Sequence, residues 1–469
     1  MRTIAVIGGG ITGLSAAYHL QQNMAAGAGE VRIVVIEAAD TLGGKISTLR
    51  DGGFIMETGA DSIVTRKMNE GGLIEELGLG DEVVYNATGR SYIHVDGELK
   101  PIPDDTVFGI PMSLESLAKS TLVSAEGKVA ALKDWYTPNE TFTKNDSVGS
   151  FLEHFLGKEL VEKQIAPVLS GVYSGNLADL TIASTLPYLI EYKNKYGSII
   201  RGLSENKEKF KGRGDAKFMS FSRGMSDLID GLEQRLHGGG AEIRKGVRTE
   251  RLAREGERYR LTLADGSSLA ADDVILSIPH DAAQALLQDE ALDAEFDRLK
   301  NSSLISVYMG FDIPDARLPA DGTGFIASEH SELSCNACTW TSRKWEHTSA
   351  GRQLLVRLFY KSSKPVYERL MRMTEQELLE VALEDMRRSL GFTGEPLTYN
   401  VRKWQESMPN YHIEHPAVVK SLESKTAERH PGVILAGCSY YGVGIPDCIA
   451  SGEAAARQII ERIGSEAAV

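Results

Sequence analysis

Three glycines near the start of the chain form the pattern best suited to chemistry. Gly8, Gly10 and Gly13 follow a short apolar run and precede apolar residues at helical spacing. Between a strand and a helix, the first glycine permits a tight turn, the second lets the backbone approach a pyrophosphate, and the third allows close helix packing. Amides at the helix N-terminus then bind the anion. The pattern predicts a dinucleotide-binding turn.

Glu37 ends the next apolar run, 24 residues after Gly13. A carboxylate at this spacing is placed to accept hydrogen bonds from ribose hydroxyls, which is the context expected of a dinucleotide site. A second glycine pair, Gly43 and Gly44, follows with Lys45, and a simple nicotinamide-dependent dehydrogenase does not need it. The sequence therefore favours FAD over NAD.

Apolar periodicity predicts the elements that must position these residues. The first two strands enclose a helix over residues 11–20, which makes a βαβ unit. A largely helical insert is predicted over 113–210, a helix near 375–390, and a glycine-rich turn followed by a helix at the C-terminus. Strands are predicted at residues 3–7, 31–36, 241–248, 259–263, 273–278, 303–311, 324–328 and 354–360, and in the segment GVILAG.

These elements predict an α/β plus α+β fold with three parts. The Rossmann-like FAD-binding domain is expected to comprise residues 1–85, 215–278 and 400–469. A substrate-binding domain built on an antiparallel sheet is expected over 86–112 and 279–399. The helical insert is expected over 113–214.

Composition limits the classes of function. The chain has 469 residues, 42% of them apolar, so a sizeable core is available, and its net charge of −14 argues against nucleic acid as a partner. No run of about 18 apolar residues and no signal sequence is evident, so a cytoplasmic location is expected. Four cysteines are too few for a secreted disulfide framework. The Cys335/Cys338 and His412/His415 spacings do not build a metal site, and none is predicted.

Several longer stretches resemble a known family. The glycine-rich segments are similar to those of the flavin amine-oxidase superfamily, and the likeness to the bacterial porphyrinogen oxidases of haem synthesis extends from Thr3 to about Ile460. It is greatest for the soluble Gram-positive type that oxidises coproporphyrinogen III. The segments that carry the resemblance are VIGGGITGLSAAYHL, EAADTLGGKI, APVLSGVYSGNLADLTIASTLP, NACTWTSRKW, RKWQESMPNYHIEH and YGVGIPDCIASG.

The resemblance implies where FAD binds. Lys45 would meet a phosphate, Val247 the adenine end, and Trp404 would flank the cofactor. The C-terminal helix near Ile445 would direct amides towards the flavin. No catalytic side chain is implied, since protons can leave through pyrrole nitrogens and water. The positions that match the family's FAD contacts are Gly8, Gly9, Gly10, Ile11, Thr12, Gly13, Glu37, Ala38, Gly44, Lys45, Gly59, Ala60, Asp61, Ser62, Val247, Trp404, Val443, Gly444 and Ile445.

The family also implies a tetrapyrrole substrate with four propionates and O₂ as electron acceptor. Arg66 and Lys67 are predicted to pair with propionates, with Lys193 and Lys195 as further candidates, although a solvated surface charge is the alternative for each. No second GxGxxG of the kind common in NADPH-linked flavoproteins is present, which favours O₂. Contact with membranes is expected to be peripheral at most, and downstream haem-pathway enzymes are candidate partners.

Three other interpretations remain open from the sequence. The substrate could be protoporphyrinogen IX, which carries two propionates and two vinyl groups. An amine oxidase would use an aromatic pair near the flavin, for which Tyr440 and Tyr441 are candidates. A prenylated-GTPase escort protein shares the scaffold but binds no FAD.

Overall fold

The computed structural model describes residues 1–24, 31–68, 72–87, 90–172, 177–210, 218–319, 321–329, 331–412 and 414–467. Within these ranges, the strands are β1 (Arg2–Ile7), β2 (Val31–Ile36), β3 (Thr48–Asp51), β4 (Phe54–Glu57), β5 (Ile63–Val64), β6 (Val83–Tyr85), β7 (Arg90–Val95), β8 (Glu98–Pro101), β9 (Thr106–Val107), β10 (Ile110–Pro111), β11 (Phe218–Phe221), β12 (Glu242–Arg244), β13 (Thr249–Glu255), β14 (Arg258–Leu263), β15 (Ser268–Ala271), β16 (Asp273–Leu276), β17 (Lys300–Pro314), β18 (Gly322–Ala327), β19 (Ala337–Thr339), β20 (Gln353–Lys361), β21 (Thr398–Asn410) and β22 (Val433–Leu435).

The α-helices of the same ranges are α1 (Ile11–Met24), α2 (Leu73–Glu76), α3 (Leu114–Lys119), α4 (Ala125–Ala131), α5 (Val148–Leu156), α6 (Lys158–Leu160), α7 (Ala166–Val172), α8 (Ile182–Thr185), α9 (Tyr188–Tyr196), α10 (Ile199–Glu205), α11 (Ser226–Gly238), α12 (His280–Leu287), α13 (Glu290–Phe296), α14 (Thr341–Lys344), α15 (Tyr367–Met371), α16 (Glu375–Leu390), α17 (His415–Arg429) and α18 (Ile445–Ala467). A single 3₁₀ turn, Thr65–Lys67, matters for the site.

A five-stranded parallel sheet in the order β12-β2-β1-β16-β22 forms the first layer. In β1, Ile4 and Val6 join the core under α1, α11 and α18, while Ala5 and Ile7 join a second core under β13 to β15, α12 and α17. Both faces are covered, as a parallel sheet requires. Because β2 and β16 flank β1 on opposite sides, the carboxyl end of β1 is a topological switch point, where ligands bind in such sheets. The predicted βαβ unit is confirmed.

The predicted strand over 241–248 is shorter in the structure. It ends at Arg244 because the chain turns at Gly246, whose φ is +71°, and Val247 then donates its amide to the Glu37 carbonyl. The chain therefore leaves the sheet beside the end of β2, where Val247 lies next to the predicted ribose carboxylate.

A seven-stranded sheet in the order β21-β17-β20-β19-β18-β7-β8 forms the second layer. Its neighbours are antiparallel except β18 and β7, which are parallel. Apolar side chains of β17 and β20 pack on α16, which gives this sheet a core of its own. The predicted division assigns residues 400–469 to the nucleotide-binding part, whereas β21 is paired with β17 at the edge of this second sheet.

Helices make up the described part of the chain between β10 and β11. From 113 to 172 and from 177 to 210, the described residues contain helices and turns but no strand, as the periodicity predicts. Ile93 and Val95 of β7 enter the core of these helices, so the helical segment packs against the second sheet. Among the residues described, none of the helices has the length and apolar character needed to cross a membrane.

Candidate functional site

The glycine turn between β1 and α1 is packed so closely that two of its glycines admit no side chain. Gly8 has φ +106°, and a Cβ there would lie 2.6 Å from the Ser277 carbonyl oxygen. A Cβ on Gly13 would lie 2.0 Å from the Gly8 carbonyl oxygen. At Gly10, the nearest atom to an added Cβ is the Gly43 carbonyl oxygen, 3.9 Å away. The turn leaves open space beside Gly10, where the first amides of α1 can meet a pyrophosphate.

The Glu37 carboxylate holds this turn against the end of β2. Its Oε2 accepts the Gly9 amide at 2.6 Å, and its Oε1 accepts the Ala39 amide at 2.8 Å. The Glu37 carbonyl accepts the Val247 amide at 3.0 Å. One side chain thus links the glycine turn, the end of β2 and the segment after β12. These are the elements expected to surround an adenosine ribose.

Main-chain contacts also attach the second glycine pair and the Gly59 segment to the turn. The Gly43 amide donates to the Gly9 carbonyl at 2.8 Å. The Ala60 amide donates to the Lys45 carbonyl at 2.9 Å, and a Cβ on Gly59 would lie 2.0 Å from that same oxygen. These contacts bring three predicted cofactor segments side by side, namely 8–13, 43–45 and 59–62.

Lys45 provides a cation close to the glycine turn. An added Cβ on Gly44, its neighbour, would lie 3.6 Å from the Cα of Gly10. The Lys45 ammonium donates to the Cys438 sulfur at 3.4 Å, which reaches the C-terminal turn. A hydrogen bond from the Cys448 thiol, aided by the Lys45 charge, lowers the pKa of Cys438. The open turn with a nearby ammonium fits the diphosphate of a dinucleotide.

Arg357 fixes the Gly59 segment from the second sheet and was not predicted. This β20 residue is 4% exposed, and its guanidinium donates to the Gly59 carbonyl at 3.0 Å and to the Thr58 carbonyl at 3.2 Å. The Trp404 indole of β21 donates to the same Thr58 carbonyl at 3.3 Å. A sequence signal existed, since Arg357 interrupts the apolar run LLVRLFY. Two strands of the second sheet therefore bind this segment, which also contacts Lys45 beside the glycine turn.

Asp61, at the same segment, is held in its charged form. Its carboxylate accepts from the Lys344 ammonium at 3.3 Å and from the Ser62 hydroxyl at 2.8 Å. Burial opposes ionisation, but Lys344 and Arg357 outweigh it and lower the pKa of Asp61 to about 2. Lys344 lies in the quoted NACTWTSRKW motif, although no role was predicted for it.

Two aromatic side chains secure the C-terminal glycine-rich turn. The Tyr411 hydroxyl donates to the Cys438 carbonyl at 2.6 Å and accepts the Gly442 amide at 2.5 Å. The Tyr411 ring stacks on His415 with centroids 4.0 Å apart, and the His415 Nε2 donates to the Ser439 carbonyl at 3.0 Å. His415 thus has a structural partner within the turn. The contacts fix the chain that leads into α18.

The end of the turn presents α18 as expected. The helix begins at Ile445, and the preceding Gly444 amide donates to the Asp447 carboxylate at 3.3 Å. Of the predicted contact residues 443–445, Val443 is 62% exposed and Gly444 is partly exposed, whereas Ile445 is 6% exposed and belongs to the core under α1 and α11. Their contact with a cofactor stays a prediction.

Lys67 has a different partner from the predicted propionate. Its ammonium donates to both carboxylate oxygens of Asp447, at 2.9 and 2.8 Å, which joins the Thr65–Lys67 turn to α18. The side chain of Arg66 lies outside the described part of the structure, and so do residues 173–176, which are the last three residues of the sequence SGVYSG and the one that follows it. A propionate on Lys67 would have to compete with Asp447.

The two lysines predicted in the helical segment differ in their surroundings. Lys193 is fully buried and pairs with Asp134 at 3.0 Å, while donating to the carbonyl of Gly197 at the same distance. It is a structural residue of α9, and no substrate carboxylate can reach it without breaking this network. Lys195 is exposed, with its ammonium 5.1 Å from the Tyr196 ring centroid. The prediction for Lys193 is wrong.

The aromatic pair required by the amine-oxidase interpretation is poorly arranged. The Tyr440 and Tyr441 rings are neighbours at 5.9 Å, but their planes are inclined by 50°. Tyr440 is 4% exposed, and the Tyr441 hydroxyl donates to Glu423 at 2.5 Å. The two rings therefore do not form a parallel cage for an amine.

Comparison with known proteins identifies the family of this chain. Residues 11–460 match the family model described as flavin containing amine oxidoreductase. The chain is 34% identical to the coproporphyrinogen III oxidase of Bacillus subtilis (strain 168), with 96% of each chain covered. It is 31% identical to the coproporphyrinogen III oxidase of Staphylococcus aureus (strain NCTC 8325 / PS 47), over 98% of this chain and 100% of the relative.

A solved structure agrees over the whole fold. A protein from Exiguobacterium sp. 255-15, whose given name assigns it provisionally to the protoporphyrinogen oxidases, superposes with a TM-score of 0.88. It is 33% identical and covers 98% of both chains. The resemblance predicted from the sequence and the predicted fold class are confirmed.

Proposed function

This chain belongs to the flavin containing amine oxidoreductases, and from that membership we propose that it is an FAD-dependent oxidase of coproporphyrinogen III. The observation that carries the proposal is the similarity, over nearly the full length of both chains, to the coproporphyrinogen III oxidase of B. subtilis. The reaction removes six electrons and six hydrogens from the porphyrinogen in three two-electron steps. Three O₂ become three H₂O₂, and the product is coproporphyrin III.

The residues present fit FAD. The open space at Gly10 and the first amides of α1 suit the diphosphate, and Lys45 adds a positive charge there. Glu37 lies beside the place where we expect the ribose to bind. The Gly59–Ser62 segment and the start of α18 are fixed by contacts with Arg357 and Tyr411. When bound, FAD supplies the two-electron acceptor for each oxidation step.

The protein's own residues contribute position and charge. Arg357 and Trp404 hold the Thr58 and Gly59 carbonyls, which fixes the segment that we expect to lie beside the flavin. Correct placement of a reacting carbon can supply much of a rate enhancement without an acid or base. We therefore assign no catalytic base to this chain.

Substrate charge must be met locally, since the whole chain is acidic. We propose Arg66 and Lys67 as propionate partners, with Lys67 exchanging Asp447 for a substrate carboxylate. Truncating one side of a buried charged pair costs about 2–5 kcal/mol and far less at a wet rim. Since Lys67 is 45% exposed, its contribution belongs to the lower range.

The experiment is anaerobic mixing of the flavin-loaded protein with coproporphyrinogen III. We expect loss of the oxidised-flavin absorbance, and admission of O₂ should restore it with formation of H₂O₂ and fluorescent coproporphyrin III. A flavin that stays oxidised under the porphyrinogen contradicts the proposal. A flavin that is reduced but not reoxidised by O₂ excludes O₂ as acceptor.

A further inference from the structure

Lys361, in β20, is a partly buried lysine with no acidic partner among the described residues. Its ammonium donates to one carbonyl, that of Ser170 in α7, at 3.0 Å. Burial lowers the pKa of Lys361, and no charged neighbour among the described residues offsets this. Lys67, Lys193 and Lys344 each pair with an aspartate instead. A cation taken from water without an anion is costly, which suggests a ligand.

Strand register places Lys361 on the face of the second sheet that contacts the Gly59 segment. Lys361 is opposite Leu304, and Leu304 is opposite Trp404 in the next strand. Directly opposed residues of antiparallel strands share one face of the sheet. Trp404 touches the Gly59 segment through Thr58, so Lys361 lies on that same face, two strands away.

The spacing of residues along β20 gives the distance between Lys361 and the Gly59 segment. Arg357 holds the Gly59 carbonyl, and Lys361 is four residues further on the same face, about 13 Å at the usual rise of a strand. This length is comparable to the width of a tetrapyrrole ring with one of its propionate arms. Phe359 lies between the two cations, partly exposed, with its ring 4.7 Å from the Arg357 guanidinium.

The opposite face of β20 is closed to ligands. Leu358 and Tyr360 are 0% and 1% exposed and belong to the core under α16. The face with Phe359 and Lys361 turns instead to α7 of the helical segment. An apolar ring surface next to one unpaired ammonium suits a flat apolar body that carries a carboxylate at its rim.

We propose that Lys361 is a substrate-carboxylate receptor, binding a propionate of the tetrapyrrole on the face of β20 that carries Phe359, about 13 Å along the strand from Arg357. The inference rests on the proposed function, because it takes the tetrapyrrole as ligand. Binding would replace the Ser170 carbonyl as principal partner or share the ammonium with it. The site is separate from Arg66 and Lys67, which belong to the turn beside α18.

The test measures the dissociation constant of coproporphyrin III, by fluorescence quenching, for flavin-loaded wild type and three variants. Lys361→Met removes the charge at similar length, Lys361→Arg keeps it, and Lys403→Met is the matched control. Lys403 also donates to main-chain carbonyls, those of Met371 and Met373, but it is opposite Ile305 on the core face of the sheet. Melting temperature and flavin content are recorded for each variant.

We expect Lys361→Met to weaken binding by about tenfold or more. Lys361→Arg should stay within about threefold of wild type, and Lys403→Met should leave binding unchanged. Binding of coproporphyrin III by Lys361→Met at the wild-type level overturns this inference but not the proposed function. Equal losses in the Met and Arg variants overturn it as well, because they indicate only a contact between β20 and α7. Failure of wild type to bind coproporphyrin III overturns the proposed function instead.

Discussion

At the residue scale, the site depends on side chains that bind the backbone of neighbouring segments. Glu37 accepts amides from the glycine turn and from its own loop, while Arg357 donates to the Thr58 and Gly59 carbonyls. Such charge-assisted bonds hold loops at defined distances. The loops that would contact a cofactor are thus held by the same charged side chains that set the electrostatic potential of the site.

Replacing Glu37 by alanine should weaken FAD binding. The change removes a charged acceptor from ribose hydroxyls and releases the Gly9 amide, and hydrogen bonds to a charged group are worth about 1.5–3 kcal/mol. The expected rise in Kd is about 10- to 150-fold, measured by flavin fluorescence titration. The Kd of Glu37→Gln, which keeps one acceptor oxygen, should lie between the Kd of wild type and that of Glu37→Ala. Undiminished FAD retention on dialysis would show that Glu37 does not hold the ribose.

Glu57 should make stability fall as pH rises from about 4.5 to 7. The carboxyl is 5% exposed, and burial raises its pKa from 4.5 to about 7, although the Met225 amide and Thr48 hydroxyl donate to it. Within that window the native protein keeps a proton that the unfolded chain has lost. The native state therefore binds more protons, and raising the pH favours unfolding, by about 3 kcal/mol at most.

Urea unfolding of Glu57→Gln and wild type at pH 5 and pH 8 checks this pH dependence. The neutral amide cannot titrate, so the variant should gain stability relative to wild type at the higher pH. A difference between the two proteins that is the same at both pH values would contradict the raised pKa.

At the element scale, the position of α18 relative to the glycine turn depends on a strand end and a helix distant in sequence. Tyr411 follows β21 and His415 begins α17, yet both bond the turn at 438–442. The segment RKWQESMPNYHIEH carries part of the family resemblance, but the sequence does not indicate what its tyrosine contacts. The structure provides that contact.

Tyr411→Phe should loosen the C-terminal turn and speed the release of FAD. The variant keeps the ring stacked on His415 but loses a hydroxyl with two hydrogen bonds, which costs about 1–3 kcal/mol. The dissociation rate of FAD, followed by fluorescence after dilution, should increase severalfold. Tyr399→Phe, at a ring that is 37% exposed, is the control and should behave like wild type. Identical release rates would remove Tyr411 from the FAD site.

Local patterns predict elements here far better than they predict contacts. The βαβ start, the helical segment and the helix over 375–390 follow from apolar periodicity and are observed. The bond from Arg357 to Gly59 joins residues 298 positions apart, and Lys67 meets Asp447 across 380 positions. Side-chain partners of this kind depend on how elements distant in sequence pack together, which no local pattern encodes. For that reason the sequence offers Lys193 as a candidate partner for a propionate although it pairs with Asp134, and it does not single out Arg357.

At the scale of the whole molecule, an acidic chain places several cations on its second sheet and beside its glycine turn. The net charge is −14, yet Lys344, Arg357 and Lys361 lie on the second sheet or beside it. Lys45 adds a further cation beside the glycine turn. Distant acidic surface repels anions weakly because salt screens it, whereas near cations act at short range. The arrangement suits a substrate with several carboxylates and an anionic cofactor.

The most direct test of the whole account compares kcat/KM for coproporphyrinogen III and protoporphyrinogen IX with the purified flavin-loaded protein, followed by porphyrin fluorescence in air. Replacing two propionates by vinyl groups leaves cations of the pocket without partners, so the tetracarboxylate should be oxidised with the higher kcat/KM. The difference should appear mainly in KM. A higher kcat/KM for protoporphyrinogen IX, or equal values for both substrates, would contradict the account.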